Sequence, residues 1–320
     1  MSAKFLSSGD LIVDRRTQYA QMLAEVGDFV AAADVMEQAL AGAPRWAAGW
    51  MRVAEYHERA GTEAQAIAAW RTAAELDPGG TLGAQTHLAA YGQGDVAPAI
   101  HAAYVGALFD HYADHFEQSL LKKLDYAVPD RLAALILGTM GRLEIAGFAR
   151  AVDLGCGTGL MGARLREHVG HLAGVDLSAA MVAEVRRKGI YEVAEQGDLL
   201  DTLAQSHGAL DLVTAADVFI YCAALPPIFA AIYRALRAGG VLAFSVERHQ
   251  GPEAQVLQPS LRYAHNGAAT ARELTAQGFE IIEIVEQTIR MDRGQPIEGL
   301  LFVARKPVAG AMDAPAELAS

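Results

Sequence analysis

The residues best suited to chemistry are three acidic side chains, each at the end of a short apolar run. The first run, ending Asp153-Leu154, passes straight into Gly155-Cys156-Gly157-Thr158-Gly159. Glycines there let the backbone turn sharply and approach a ligand with no Cβ in the way, and a helix beginning at that point offers unpaired N–H donors. The second run ends at Asp176, where a carboxylate can accept from both hydroxyls of a ribose. A third ends at Gly197-Asp198-Leu199, suiting an exocyclic amine with a leucine against the face of a base. A tight turn alone would explain Gly155 but not the aligned carboxylates. Gly157, Gly159 and Gly162 also spell GxGxxG, with Asp176 near the spacing of a dinucleotide site. Asp153 disfavours that reading, since it puts an acid where a pyrophosphate would come close. The Asp198 motif disfavours it too, because a dinucleotide site does not require it.

The elements that must position these residues follow from texture. From residue 151 onward, short apolar runs alternate with amphipathic segments, which argues an α/β fold with a doubly wound, mostly parallel sheet. Ligands in such sheets sit at the carboxyl ends of the strands. The fourth strand end carries Asp217, Phe219 and Tyr221, and the fifth carries Glu247-Arg248-His249. Two final runs, 280–289 and 300–306, joined by the turn-rich 291–296, form a hairpin that contributes one antiparallel strand.

The first third of the chain reads differently. A shift of 34 residues superimposes Gly27 on Gly61, Ala32 on Ala66, Met36 on Trp70, Ala39 on Ala73 and Pro44 on Pro78. Glycine ends a helix, alanines allow close helix approach, a large side chain fills the gap and proline closes the unit. This pattern resembles the tetratricopeptide repeat over about residues 11–78, with a capping helix at 82–91. The resemblance implies an all-α domain at 11–91 that binds a peptide or protein, self-associates or covers the second domain. Residues 92–108 are expected as a linker and 307–320 as a disordered tail.

Composition bounds the partners. A chain of 320 residues suggests two domains, and 52% hydrophobic residues are enough to form cores. A net charge of −12 disfavours nucleic acid. With two cysteines and no apolar leader in residues 1–16, the expectation is a reducing, cytoplasmic setting. Residues 212–233 are nearly long enough to span a bilayer, but Asp217 and Pro226-Pro227 split them into strand, loop and helix, so no membrane partner is expected.

The ordered triple VDLGCGTG, GVDLS and GDL resembles the class I S-adenosylmethionine-dependent methyltransferases over about residues 109–306. The resemblance implies a seven-stranded Rossmann-like sheet, S-adenosylmethionine as cofactor, S-adenosylhomocysteine as product and no metal. It implies cofactor contacts from Asp153, Gly155, Cys156, Gly157, Gly159, Asp176, Leu177, Asp198, Leu199, Asp217 and Phe219. With the 109–117 helix, residues 262–266 and the end of the chain, the sequence also resembles a bacterial group of methyltransferases that carry tetratricopeptide repeats. The acceptor is expected to be a small molecule, or else a peptide or protein. His249, then His265 and Tyr221, are candidate proton acceptors, and Tyr112, Phe116, Arg262 and Tyr263 are candidate substrate contacts. The contrasting possibility is an interaction protein in which the repeats recruit a partner and the cofactor fold is not catalytic.

Overall fold

Small side chains at fixed spacing draw the N-terminal helices together. In a computed structural model, which describes residues 7–113, 126–292 and 294–308, this region is helical: α1 (Leu11–Glu25), α2 (Phe29–Leu40), α3 (Ala47–Ala60), α4 (Glu63–Leu76), α5 (Ala84–Ala90) and α6 (Pro98–Tyr112). Asp10 caps α1 by accepting from the N–H groups of Ile12 and Val13, Asp28 caps α2, and Gly61 ends α3 in the left-handed conformation. Each of α1 to α4 packs on the next, and α4 packs on α5. Ala32, Ala66, Ala39 and Ala73 are fully buried, and Met36 and Trp70 fill the equivalent gaps. Trp70 stacks on His87 with ring centroids 4.7 Å apart. The stretch expected as a linker is mostly α6, since Pro98 suits a first helical turn and nothing after it breaks the helix before Tyr112.

The chain divides into two compact units. One comprises Met1–His111 and Leu257–Leu261, the other Tyr112–Val256 and Arg262–Ser320. The second opens with α7 (Val128–Arg142) and continues β1 (Phe148–Leu154), α8 (Leu160–Leu165), β2 (Val169–Asp176), α9 (Ala179–Lys188), β3 (Val193–Gln196), α10 (Leu199–Ala204) and β4 (Leu210–Ala215). A 3₁₀ turn (Phe219–Tyr221) leads to α11 (Pro226–Ala235), β5 (Leu236–His249), β6 (Gln255–Leu257), β7 (Tyr263–Asn266), α12 (Gly267–Ala276), β8 (Glu280–Asp292) and β9 (Gln295–Arg305).

The sheet has nine strands rather than the expected seven. Its order is β3-β2-β1-β4-β5-β7-β6, with β9 also against β5 and β8 against β9. Strands β1 to β5 are parallel to their neighbours, β9 runs antiparallel to β5, and β7 pairs in parallel with the last three residues of β5. The two additional strands, β6 and β7, span three and four residues. Runs that short carry no readable alternation.

Alternate residues of the inner strands feed two cores, as the strand period requires. Val152, Leu154, Val213, Leu242, Phe244 and Phe302 join Phe229 and Ile232 of α11. Ala151, Leu212, Ala243 and Leu301 join Leu132 and Ile136 of α7. Phe244 and Phe302 face each other in register and stack at 4.9 Å. Asp153, Thr214, Ser245 and Glu247 continue the second register set toward the carboxyl ends, so the face that is apolar beneath α7 turns polar at the sheet's edge. Phe244→Ala is expected to destabilise this unit by about 3–5 kcal/mol, measured by urea denaturation with the far-ultraviolet signal, because the cavity would open where four aromatic rings meet.

Candidate functional site

A buried carboxylate must find donors, and Asp153 finds two. It is 1% exposed; Thr214 Oγ1 donates to its Oδ1 and Tyr191 Oη to its Oδ2, both at 2.7 Å. Burial pushes its pKa up to about 6, and the Tyr191 and Thr214 hydrogen bonds oppose that rise. Tyr191 Oη also accepts from Gly162 N–H at 3.2 Å, which ties the start of α8 to the acid. The tyrosine occupies the space where a side chain on Gly162 would go, while a side chain on Gly159 would meet Val185 first and one on Gly174 would meet Cys156.

The glycine loop that follows is held from the next strand. Gly155, Gly157 and Gly159 all adopt positive φ. Asp176 Oδ2 accepts from Gly157 N–H at 2.9 Å, and its Oδ1 accepts from Ser178 N–H at 2.8 Å. Cys156 N–H donates to the Val175 carbonyl. Burial pushes the Cys156 thiol well above its ordinary range, which makes it a packing group and not a nucleophile. Thr158 Oγ1 is buried without a hydrogen-bond partner among the described residues. The carbonyl of Leu177 accepts from Gln196 Nε2. Asp198 caps α10 by accepting from Leu200 N–H at 2.7 Å, and Leu199 lies half-buried against the first core.

This donor set fits S-adenosylmethionine. A carboxylate offers about four acceptor positions. Asp176 and Asp198 stand where ribose and adenine groups would need acceptors, and the orphaned Thr158 hydroxyl lies in the loop between them and Asp153. Among the described residues no group of three or more His, Cys, Asp or Glu side chains could hold a metal, and no helix is long and apolar enough to cross a membrane. Residues 212–233 are divided between β4, the 3₁₀ turn and α11.

Beyond β4 and β5 lies a charged cluster. Asp217 takes a left-handed backbone (φ 56°); its N–H donates to Ser245 Oγ, which donates back to Asp217 Oδ1. Arg290, 3% exposed, donates from Nη1 to Asp217 Oδ2 at 2.9 Å and from Nη2 to Glu247 Oε1. Burial raises the Glu247 pKa against the pull of Arg290 and Arg262. Arg262 Nε donates to Tyr221 Oη at 3.4 Å. Burial holds Tyr126 protonated, and its ring feels the charges of both Asp217 and Asp153. Asp153 and this cluster therefore share one neighbourhood.

Several expectations need correction. Phe219 does not face a ligand: it is fully buried against Phe229 and Phe244, because enclosing an apolar ring in the core is the more favourable use of it. His265 is 2% exposed, its Nε2 sits 3.0 Å from the Phe219 carbonyl, and burial drives its pKa down to about 4, so it ties β7 to the 3₁₀ turn and is a poor base. His249 Nε2 lies 2.9 Å from Glu253 Oε2. Tyr263 is buried at the start of β7, and Tyr112 closes α6 with half its surface exposed. Phe116 lies outside the described residues. Sequence reasoning placed Glu247 at a strand end without giving it a role, and missed Tyr126, Tyr191, Thr214, Ser245 and Arg290. Arg290 gave one usable signal: an arginine following an apolar residue in an otherwise strand-like run needs a partner if it is buried.

Residues 152–244 match the family model described as a methyltransferase domain. A malonyl-[acyl-carrier protein] O-methyltransferase of Enterobacter lignolyticus is 32% identical over 148 residues, covering 46% of this chain and 55% of that protein. A trans-aconitate 2-methyltransferase of Deinococcus radiodurans is 34% identical over 102 residues, 31% of this chain and 38% of that protein. The chain thus spans about half or less of the length of these curated relatives. A solved S-adenosylmethionine-dependent methyltransferase from Mesorhizobium loti aligns with a TM-score of 0.43 at 25% identity, over 51% of this chain and 94% of that one.

Because Asp153 is raised to about 6, affinity for a ligand whose ammonium group needs the ionised acid should fall as pH drops through 6. Tyr191→Phe removes a hydrogen bond that lowers this pKa, so the fall should move to higher pH. Calorimetric titration with S-adenosylmethionine from pH 5 to 8, about the span over which such an acid titrates, checks both, and unchanged profiles would separate Asp153 from the ligand.

Proposed function

We propose that the second unit transfers a methyl group from S-adenosylmethionine to an oxygen, nitrogen or carbon of a small-molecule, peptide or protein acceptor. The observation that carries this reading is the arrangement of Asp153, Asp176 and Asp198 at the ends of three adjacent strands around one glycine loop. In this reading Asp153 orders the amino end of the methionine, Asp176 accepts from the ribose and Asp198 from the adenine amine. Bound S-adenosylmethionine supplies an electrophilic methyl on a sulfonium, and S-adenosylhomocysteine is the product. The chain's own residues need to align an acceptor in line with the carbon–sulfur bond and exclude competing water. The named activities of the two curated relatives support an oxygen acceptor, on a small acid or on an acyl group carried by a protein.

The dinucleotide alternative loses support at Gly162. In that motif the third glycine allows close helix-to-strand packing, whereas here the Tyr191 ring fills the space beside it. Calorimetry should therefore give binding of S-adenosylmethionine and none of NAD. Asp176→Ala should weaken binding by at least about tenfold, since a charge-assisted hydrogen bond contributes on the order of 1.5–3 kcal/mol. Tighter binding of NAD would sink the methyl-transfer reading.

We further propose that residues 11–91 form two tetratricopeptide-like helix pairs and a cap, serving an acceptor protein, another partner or self-association, and that 109–306 form the catalytic domain. The equivalent burial of Met36 and Trp70 supports the repeat. All proposed cofactor contacts follow residue 109, so a chain lacking residues 1–91 should keep its affinity for S-adenosylmethionine. Loss of affinity or aggregation in that truncation would show that the boundary does not separate independent domains.

A further inference from the structure

Helix α1 carries two apolar faces, and only one of them is covered. Val13, Thr17 and Ala20 are buried, Ala20 in the core that α2, α3 and α4 share. The other face holds Leu11, Ile12, Tyr19, Met22 and, at the C-terminal cap, Val26, each between 55% and 80% exposed. A surface helix ordinarily pairs one apolar stripe with a polar opposite face. In a stack of helix pairs the end helix needs a polar outer face to stay soluble. α1 is the first helix of the described residues and has the reverse. Five large side chains at this exposure present on the order of 500 Å² of apolar surface, the scale on which a patch serves as an interaction site.

The spacing says what would cover it. Ile12, Arg15, Tyr19, Met22 and Val26 follow one another at alternating intervals of 3 and 4 residues, and all five are exposed. That is the heptad seam along which two helices pair. The seam also complements itself when reversed. An antiparallel pairing about the point between Ala20 and Gln21 puts Tyr19 of each copy opposite Met22 of the other, and Arg15 of each opposite Val26 of the other. The Arg15 stem then lies on that valine while its guanidinium reaches the adjacent Glu25, whose carboxylate also accepts from Gln21 Nε2 at 3.2 Å. A parallel pairing would instead set Arg15 against Arg15 and align the two helix dipoles.

We infer that a second copy of this chain covers the exposed face of α1, in a two-fold antiparallel pair of α1 helices centred between Ala20 and Gln21. This deepens the self-association proposed for residues 11–91 and rests on their helical pairing, not on methyl transfer. The arrangement is isologous and closed, so assembly stops at two copies. A standard interface takes about 800 Å² from each partner, of which the apolar seam supplies roughly 500 Å². Arg15, Arg16, Gln18 and Glu25, all exposed, lie along it to form the polar rim.

The test reads the oligomeric state of the full chain by sedimentation equilibrium. At about 100 μM, above the micromolar limit for interfaces of this size, the unaltered chain should be a dimer. Met22→Glu sets a charge against Tyr19 of the second copy twice per dimer and should weaken association at least about tenfold. Met22 is largely exposed, so the far-ultraviolet helical signal and the calorimetric affinity for S-adenosylmethionine should not change. The register is read by mixing Tyr19→Cys and Met22→Cys chains in equal amounts and oxidising them. The mixed disulfide should exceed both homodisulfides. Burial pushes the thiols of Cys156 and Cys222 above their ordinary range, so neither competes. A helical monomer at about 100 μM, a Met22→Glu chain that dimerises as tightly as the unaltered one, or a mixed disulfide that does not exceed the homodisulfides overturns the inference and leaves the helix pairs standing. An unaltered chain without the helical signal of residues 11–91 would bring down the helix pairs, and this inference with them.

Discussion

A carboxylate buried as deeply as Asp153 cannot be left to solvent, and the second unit is organised around that requirement. Thr214 satisfies it from the adjacent strand β4, and Tyr191 satisfies it from the residues just before β3. Those two hydrogen bonds fix the end of β1 laterally, so the glycine loop leaves the sheet from an immobilised point. Asp176 then grips the loop at Gly157 from the end of β2. The loop's conformation is thus specified by two acids on neighbouring strands as much as by its own glycines. Removing water from Asp153 also keeps its charge effective, since a low-dielectric surrounding screens it less.

The same sheet separates stability from chemistry by register. On the face beneath α7, Ala151, Leu212 and Ala243 are core, and a step or two further along the strands Asp153, Thr214, Ser245 and Glu247 are polar. Arg290 completes this edge from β8, more than forty residues after Glu247, and the β8–β9 hairpin is what returns it to the carboxyl ends. Its two ion pairs are nearly sealed from water, a setting in which removing one partner costs more than forming the pair contributes.

What the sequence made legible follows from distance along the chain. The Asp153 loop, Asp176 and Asp198 are each encoded locally, as an apolar run ending in an acid, and the structure has all three at strand ends. The helix pairs were readable because Gly27 and Gly61, and Met36 and Trp70, repeat at a fixed interval. By contrast, the partners of Asp153 come from 38 and 61 residues away, and those of Asp217 from 28 and 73. No local pattern reports such pairings. Phe219 and His265 misled for the opposite reason: their residue types suit a site, but tertiary packing gave them to the core. Strands β6 and β7 were hidden by brevity.

The crowding around Tyr191 has an evolutionary consequence. Its ring fills the volume that a side chain on Gly162 would need, so any larger residue there meets an aromatic wall, while a smaller residue at 191 leaves a void and an unsupported acid. Positions 162 and 191 are therefore coupled, since a side chain at the first needs a smaller one at the second. Among relatives the two should drift together or not at all, and a lineage that has lost the tyrosine should betray it first by the bulk of what has replaced Gly162.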